Sequence, residues 1–297
     1  PGDKEFNKLV TKMNTSLDSK LTKSGNGLKL GKIVTSSKFL LTDPKSAKES
    51  MMGNLIADAN RSVIAKRFPY SLGVVPNGVI RGSLMAGATS FANLFSILPL
   101  GMTNASDQKV MAPGYPLLTM FMSAADIKKM LWVGLNIPAV KGSSYFLNIS
   151  GIKYEYGLKV AGIPKYGVEV KKVSLVTNPI TGATSGDFEN DGPYPVVVNL
   201  YMLLMMSGLD SELIAMGMPP LNVNLMTPSG GSVNMTDRKH KDHYLNFRID
   251  ADQNPTNGIQ EVKEWMAFLN YTSTLKQIPG DYNKSGTANA LGRAVFK

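Results

Sequence analysis

Lys48-Glu49-Ser50-Met51-Met52-Gly53-Asn54-Leu55-Ile56-Ala57-Asp58-Ala59 opens a helical pattern, and Gly73-Val74-Val75-Pro76-Asn77-Gly78-Val79-Ile80-Arg81 follows it. Met52, Leu55, Ile56, Ala59 and Val63 recur at helical spacing, which predicts an amphipathic helix over about 50–66. Gly73-Val74-Val75 is short and apolar, a buried strand. Asn77-Gly78 then forces a turn that ends in a guanidinium. Such a turn can aim backbone N–H groups and Arg81 at one anion. No G-K-[ST] follows, so it is not a Walker loop.

The same alternation continues outward in both directions. Phe6, Leu9, Val10, Met13, Leu17 and Leu21 predict a helix over 4–22, and Leu28 to Thr35 a strand. Thr89 is placed to cap a short helix running to Ile97. Strands are expected at Pro116 to Met122, Tyr145 to Ser150, Ile152 to Tyr156, Gly167 to Val176 and Pro195 to Met202. Helices are expected around Asp126 to Val133 and, near the end of the chain, Val262 to Leu275. Residues 218–258 are polar, rich in Gly and Pro, and read as an elaborated loop region. Adjacent strand pairs among alternating helices argue for a mixed α/β fold rather than a purely parallel sheet. Residues 1–297 are read as one domain.

Composition removes several chemistries. The 297 residues contain no cysteine and two histidines, His240 and His243. Disulfides, thiolate metal sites and a Cys nucleophile are therefore absent, and a His-rich metal centre cannot be built. His240 and His243 sit in Asp237-Arg238-Lys239-His240-Lys241-Asp242-His243, an H-x-x-H spacing whose cationic neighbours oppose a dication. The net charge of +10 is spread singly over the chain, without the focused stripe and stacking aromatics of a nucleic-acid binder. It suits an anionic small molecule. The longest apolar run, Val196 to Met206, includes Asn199 and falls short of the about 20 residues a membrane span needs. Seventeen methionines read as adaptable core filler. The opening Pro-Gly-Asp is read as a processed or cut N-terminus.

Taken together, the segments resemble the C-terminal domain of the 5'-nucleotidase/UDP-sugar hydrolase family. Lys48 to Ala59 is similar to the family's "R-E-x-N-x-G-N-L-[IV]-x-D-A", and Asn77-Gly78-Val79-Ile80-Arg81 to its "N-G-G-G-I-R". Gly87 to Leu94 resembles "G-x-I-T-x-x-[ND]-L", and Leu98-Pro99-Leu100-Gly101 resembles "x-P-F-G". Phe146 to Tyr154 resembles "F-L-Q-V-S-G-L-x-Y", and Gly292-Arg293-Ala294-Val295 the closing "G-R-[IV]". The resemblance implies a four-layer α/β/β/α domain. It also implies a division of labour. An N-terminal metallophosphatase domain, outside this chain, would hold two divalent metals and the catalytic His. This chain would carry no catalytic or metal residue and would grip a nucleotide or another phosphorylated small molecule. A periplasmic, secreted or cell-surface setting follows from the same resemblance.

The substrate-binding positions carried over are Arg81, Lys48, Asn77, Gly78, Leu100, Tyr201 and Asp210. Arg81 matches the arginine that holds the anionic group, and Lys48 replaces a second arginine with a point charge. Leu100 stands where the family has the first aromatic of a base-binding clamp, and about a dozen residues, Met102 to Pro113, are inserted after it. Tyr201 stands for the second aromatic. Asp210 is what remains of a Gly-Gly-Asp-Gly turn that binds ribose. Two readings follow: the specificity half of a nucleotidase-like metallophosphoesterase, or a degenerate binding or structural module that keeps the fold. A third, a stand-alone enzyme using the His240/His243 loop, stays open at this point.

Overall fold

A computed structural model describes residues 2–21, 28–101, 113–159, 167–178, 183–188, 193–227, 229–233, 247–254, 256–283 and 292–297. The helices are α1 (Lys4–Leu21), α2 (Met51–Ser62), α3 (Phe91–Ile97), α4 (Ala124–Asn136), α5 (Pro138–Lys141), α6 (Leu200–Ser207), α7 (Leu209–Ala215) and α8 (Glu264–Leu275). The strands are β1 (Ile33–Ser37), β2 (Leu72–Pro76), β3 (Gly87–Ser90), β4 (Leu117–Met122), β5 (Leu147–Ser150), β6 (Ile152–Leu158), β7 (Val168–Asn178), β8 (Ala183–Asp187), β9 (Tyr194–Asn199), β10 (Leu225–Met226), β11 (Ser232–Val233) and β12 (Ala294–Phe296).

Two sheets share the core. A six-stranded sheet runs β11-β10-β4-β9-β2-β5, with β2 and β9 parallel and the other neighbours antiparallel. A four-stranded sheet runs β12-β6-β7-β8, with β12 parallel to β6. The period-2 pleat divides each central strand between two cores. Leu118, Met120, Met122, Val196 and Val198 join α4 and the four-stranded sheet's Ile152, Tyr154 and Val173. Leu117 and Val197 face the opposite way, toward Val262 and Ala267, while Val75 meets α2, α3 and α8. The layers are thus helices α2, α3 and α8, the six-stranded sheet, and the four-stranded sheet with α4 packed against β7. This is the mixed α/β architecture expected.

Side-chain caps set where helices start. Ser50, Ser123 and Asn199 each accept a hydrogen bond from a backbone N–H three residues on, opening α2, α4 and α6. The cap of α3 is Ser90, not Thr89: Ser90 and Asn93 form a reciprocal capping box, and Thr89 is buried in β3. The strand expected over 195–202 stops at Asn199, because that cap turns the chain into α6. Residues 218–258 are not wholly irregular, since β10 and β11 extend the large sheet by a short hairpin. The helix over 4–21 is present, but its apolar stripe is exposed, with Phe6 at 63% and Met13 at 55%. Asp18 ties it to the body by accepting from the Leu30 N–H at 2.7 Å.

Candidate functional site

The segment 76–81 leaves the end of β2 as a single 3-10 turn, Asn77–Val79, and reaches the surface at Arg81. Three backbone N–H groups of the segment 77–81 are committed to protein carbonyls. The Asn77 N–H donates to Phe146 O (2.9 Å), Ile80 N–H to Asn77 O (3.1 Å) and Arg81 N–H to Ile97 O (2.8 Å). Those three donors are therefore not offered to a ligand, and the exposed Arg81 guanidinium ends the turn as its charged anion-facing group.

Asn77 is likewise committed. Its buried amide donates to Ser46 O (3.0 Å) and Ser143 O (3.2 Å), and its Oδ1 accepts from Asn148 Nδ2 (2.7 Å). It stitches the loop before α2 to the 143–145 turn. Gly78 lies against Ser144, where an added Cβ would sit 3.2 Å from that side chain. Lys48 is exposed on the loop that Asn77 tethers. Asp210 accepts from the Leu221 N–H (2.8 Å) and the Asn222 N–H, so it anchors the 221–222 backbone. His240 and His243 lie outside the described residues. Among the described residues no group of three metal-ligating side chains is assembled.

The structure does bring Arg81, Leu100 and Tyr201 into one neighbourhood, through a residue the sequence reading passes over. The inserted segment returns beside its own origin: Gly114 N–H donates to Gly101 O (2.8 Å) and Tyr115 N–H to Leu100 O (2.9 Å). Trp265 Nε1 pins the return by donating to Pro113 O at 2.7 Å. Tyr115 therefore stands beside Leu100. Gly101, at φ +95°, makes room for it, since a Cβ there would sit 2.3 Å from the Tyr115 ring. Tyr115 and Tyr201 form a tilted pair, with centroids 5.6 Å apart and planes at 32°. Burial raises the Tyr115 hydroxyl above its ordinary range, Tyr201 adds to this, and Arg81 pulls the other way. The signal that could have found Tyr115 is Gly114-Tyr115-Pro116, the first aromatic after the insertion.

Glu264 supports this arrangement from below. Its buried carboxylate accepts from Asn60 Nδ2 and from Asn199 Nδ2, each at 3.0 Å, and its N–H donates to Tyr115 O at 3.0 Å. One side chain thus holds the cap of the helix carrying Tyr201 while its backbone holds Tyr115. Burial lifts its pKa from 4.5 to about 7 against the pull of the two amides.

The family model for the 5'-nucleotidase C-terminal domain matches residues 30–211. Among solved structures, the NAD nucleotidase of Haemophilus influenzae superposes with a TM-score of 0.52 at 15% identity, covering 99% of this chain and 42% of that one. The 5'-nucleotidase precursor of Thermus thermophilus gives 0.49 at 17% identity, covering 89% and 39%. The chain thus spans about two fifths of the length of these proteins. No curated protein sequence matches it. The motif order, the mixed sheets and a family match that spans both motifs flanking β2 agree: the chain belongs to the 5'-nucleotidase C-terminal domain family.

Proposed function

We propose that residues 1–297 form one substrate-binding domain of a nucleotidase-like metallophosphoesterase and recognise a nucleotide or a related phosphate ester. The observation that carries this reading is the exposed Arg81 guanidinium beside the Tyr115–Tyr201 pair. A cation next to stacked rings suits an anionic group attached to a flat base. The Tyr pair is too close to admit a base between its rings, since two stacking gaps of ~3.5 Å require about 7 Å. The base therefore stacks on the open face of Tyr201, which is 37% exposed, with its phosphate on Arg81. Hydrolysis itself belongs to an N-terminal domain carrying two divalent metals, and a periplasmic or cell-surface location goes with that assignment. No helix among the described residues is long and apolar enough to cross a membrane.

A second reading has its own support. Asn77 and Asp210 are consumed by backbone groups, and α6 and α7 occupy the stretch of a glycine turn. Those are marks of a module that keeps the fold without nucleotide recognition. Titrating AMP and adenosine against the chain, with melting temperature as readout, separates the two. AMP should raise the midpoint, Arg81→Ala should abolish the advantage of AMP over adenosine, and Tyr201→Ala should weaken both by about 5–150-fold. An unmoved midpoint at millimolar AMP leaves the second reading standing.

A further inference from the structure

Between α4–α5 and α6–α7 lies a cavity of about 390 Å³ to which Tyr201 does not contribute. This volume falls within the ~300–1,000 Å³ range of small-molecule sites. Five of the seventeen methionines line it: Met130, Met202, Met205, Met206 and Met216. Methionine walls are unbranched and polarizable and fit flexible apolar chains. Among the described residues Tyr145 is the one aromatic in the lining, so no pair of rings selects a flat ligand. The ionic groups of the wall belong together, for Lys141 Nζ donates to Glu212 Oε2 at 2.8 Å and joins α5 to α7. Arg81, Leu100 and Tyr115 take no part in the lining.

We propose that this cavity binds an aliphatic monocarboxylate, its chain among the methionines and its carboxylate on Lys141. The choice of head group follows from the donors. A carboxylate can accept from the Lys141 ammonium and from the Tyr145 hydroxyl, both of which line the cavity. An ammonium head would have to compete with the tethered Lys141 ammonium for Glu212. The net charge of +10 favours the anion as well. At ~30 Å³ for each water-sized group, 390 Å³ holds roughly a dozen non-hydrogen atoms, the size of decanoate. Glu212 would be displaced from Lys141 toward solvent, where it is already 61% exposed.

Decanoate, decanol and decylamine, each below its aggregation limit, would be titrated against the full chain by calorimetry, with methionine-methyl NMR on the same samples. Decanoate should saturate one site, shift the methyls of Met202, Met205 and Met206, and bind more tightly than decylamine. Met206→Trp, which fills the cavity, should abolish binding. Lys141→Met should weaken decanoate about fivefold and leave decanol unchanged. Arg81→Ala should have no effect. Absence of saturable binding, binding untouched by Met206→Trp, or methyl shifts spread over the surface overturns the site. Should Met206→Trp fail to fold, the wild-type methyl shifts decide alone. Decylamine binding as tightly as decanoate overturns the assignment of the head group.

Discussion

At the scale of single residues, the site turns on which polar groups are already committed. Asn77 and Asp210 carry the side chains a ligand site would use, yet each holds loop backbone distant in sequence. Glu264 is a different case, because its state depends on pH. Its folded pKa of about 7 lies above the ordinary 4.5. Below pH 4.5 the group is protonated in both folded and unfolded chains. Between 4.5 and 7 the unfolded chain releases its proton first, so stability falls as pH rises. Above 7 the penalty is complete, and at ~1.4 kcal/mol per unit it amounts to about 3 kcal/mol. Glu264→Gln removes the titration, and the unpartnered Asn60 Oδ1 can accept from the new amide after a flip. Urea unfolding at pH 4.5 and 8 should show wild type losing about 3 kcal/mol relative to Glu264→Gln; parallel profiles would refute the assignment. Arg81 is legible in the sequence because it ends a strand-turn unit whose reading is local. Tyr115 is not, because it reaches Leu100 across an insertion, and a sequence pattern holds no information on where a loop returns.

Elements pack closely where side chains are smallest. Helix α2 lies so near β2 that a Cβ on Gly73 would fall 2.2 Å from Ala57 O and 2.6 Å from Arg61 N. Both are backbone atoms of the helix and cannot rotate away. Gly73→Ala should therefore lift α2 off the sheet and destabilise the chain by about 3 kcal/mol, the upper part of the range for overpacking. A urea midpoint within the error of wild type would show that the helix shifts freely. The requirement for glycine is invisible in Gly73-Val74-Val75, which reads simply as an apolar strand. The same limit explains the one misplaced element boundary of consequence. Val196 to Met206 is apolar almost throughout, so neither a period of 2 nor of 3.6 stands out, and a pattern-based strand runs on past Asn199. Only the hydrogen bond from the Met202 N–H to Asn199 Oδ1, at 2.8 Å, marks the turn into α6. By contrast, the apolar spacing of α2 places a helix that is readable from the residues alone, although the structure buries Met52 to Arg61 on every side rather than on one face, and β4 is buried on both faces.

For the whole molecule, the motifs that carry the family resemblance serve to join α2 to the C-terminal strand. Asp58 in α2 accepts from Ser150 Oγ at the end of β5 (2.6 Å), from Tyr282 Oη, and from Arg293 Nη2 just before β12 (2.7 Å). Glu49, just ahead of α2, accepts from the Arg293 and Ala294 N–H groups, each at 3.1 Å to Oε2. The "D-A" of the helix, the "S-G" between β5 and β6 and the closing "G-R" are thus one buried cluster rather than three separate surface sites. This explains why motifs so far apart in sequence read as a set, although their side chains serve one another rather than the Tyr115–Tyr201 pair. The cluster also makes the C-terminal strand a structural keystone: β12 pairs with β6, and Arg293 reaches from there to α2. Asp58 is 2% and Arg293 4% exposed, so truncating one partner strands the other charge away from water. Arg293→Met should cost about 3–5 kcal/mol in urea unfolding. The double variant Asp58→Asn/Arg293→Met should recover a substantial part of that loss, because it removes the stranded carboxylate. A double variant that loses the sum of the two single losses would mean that the residues act independently and that β12 is held to α2 by packing alone.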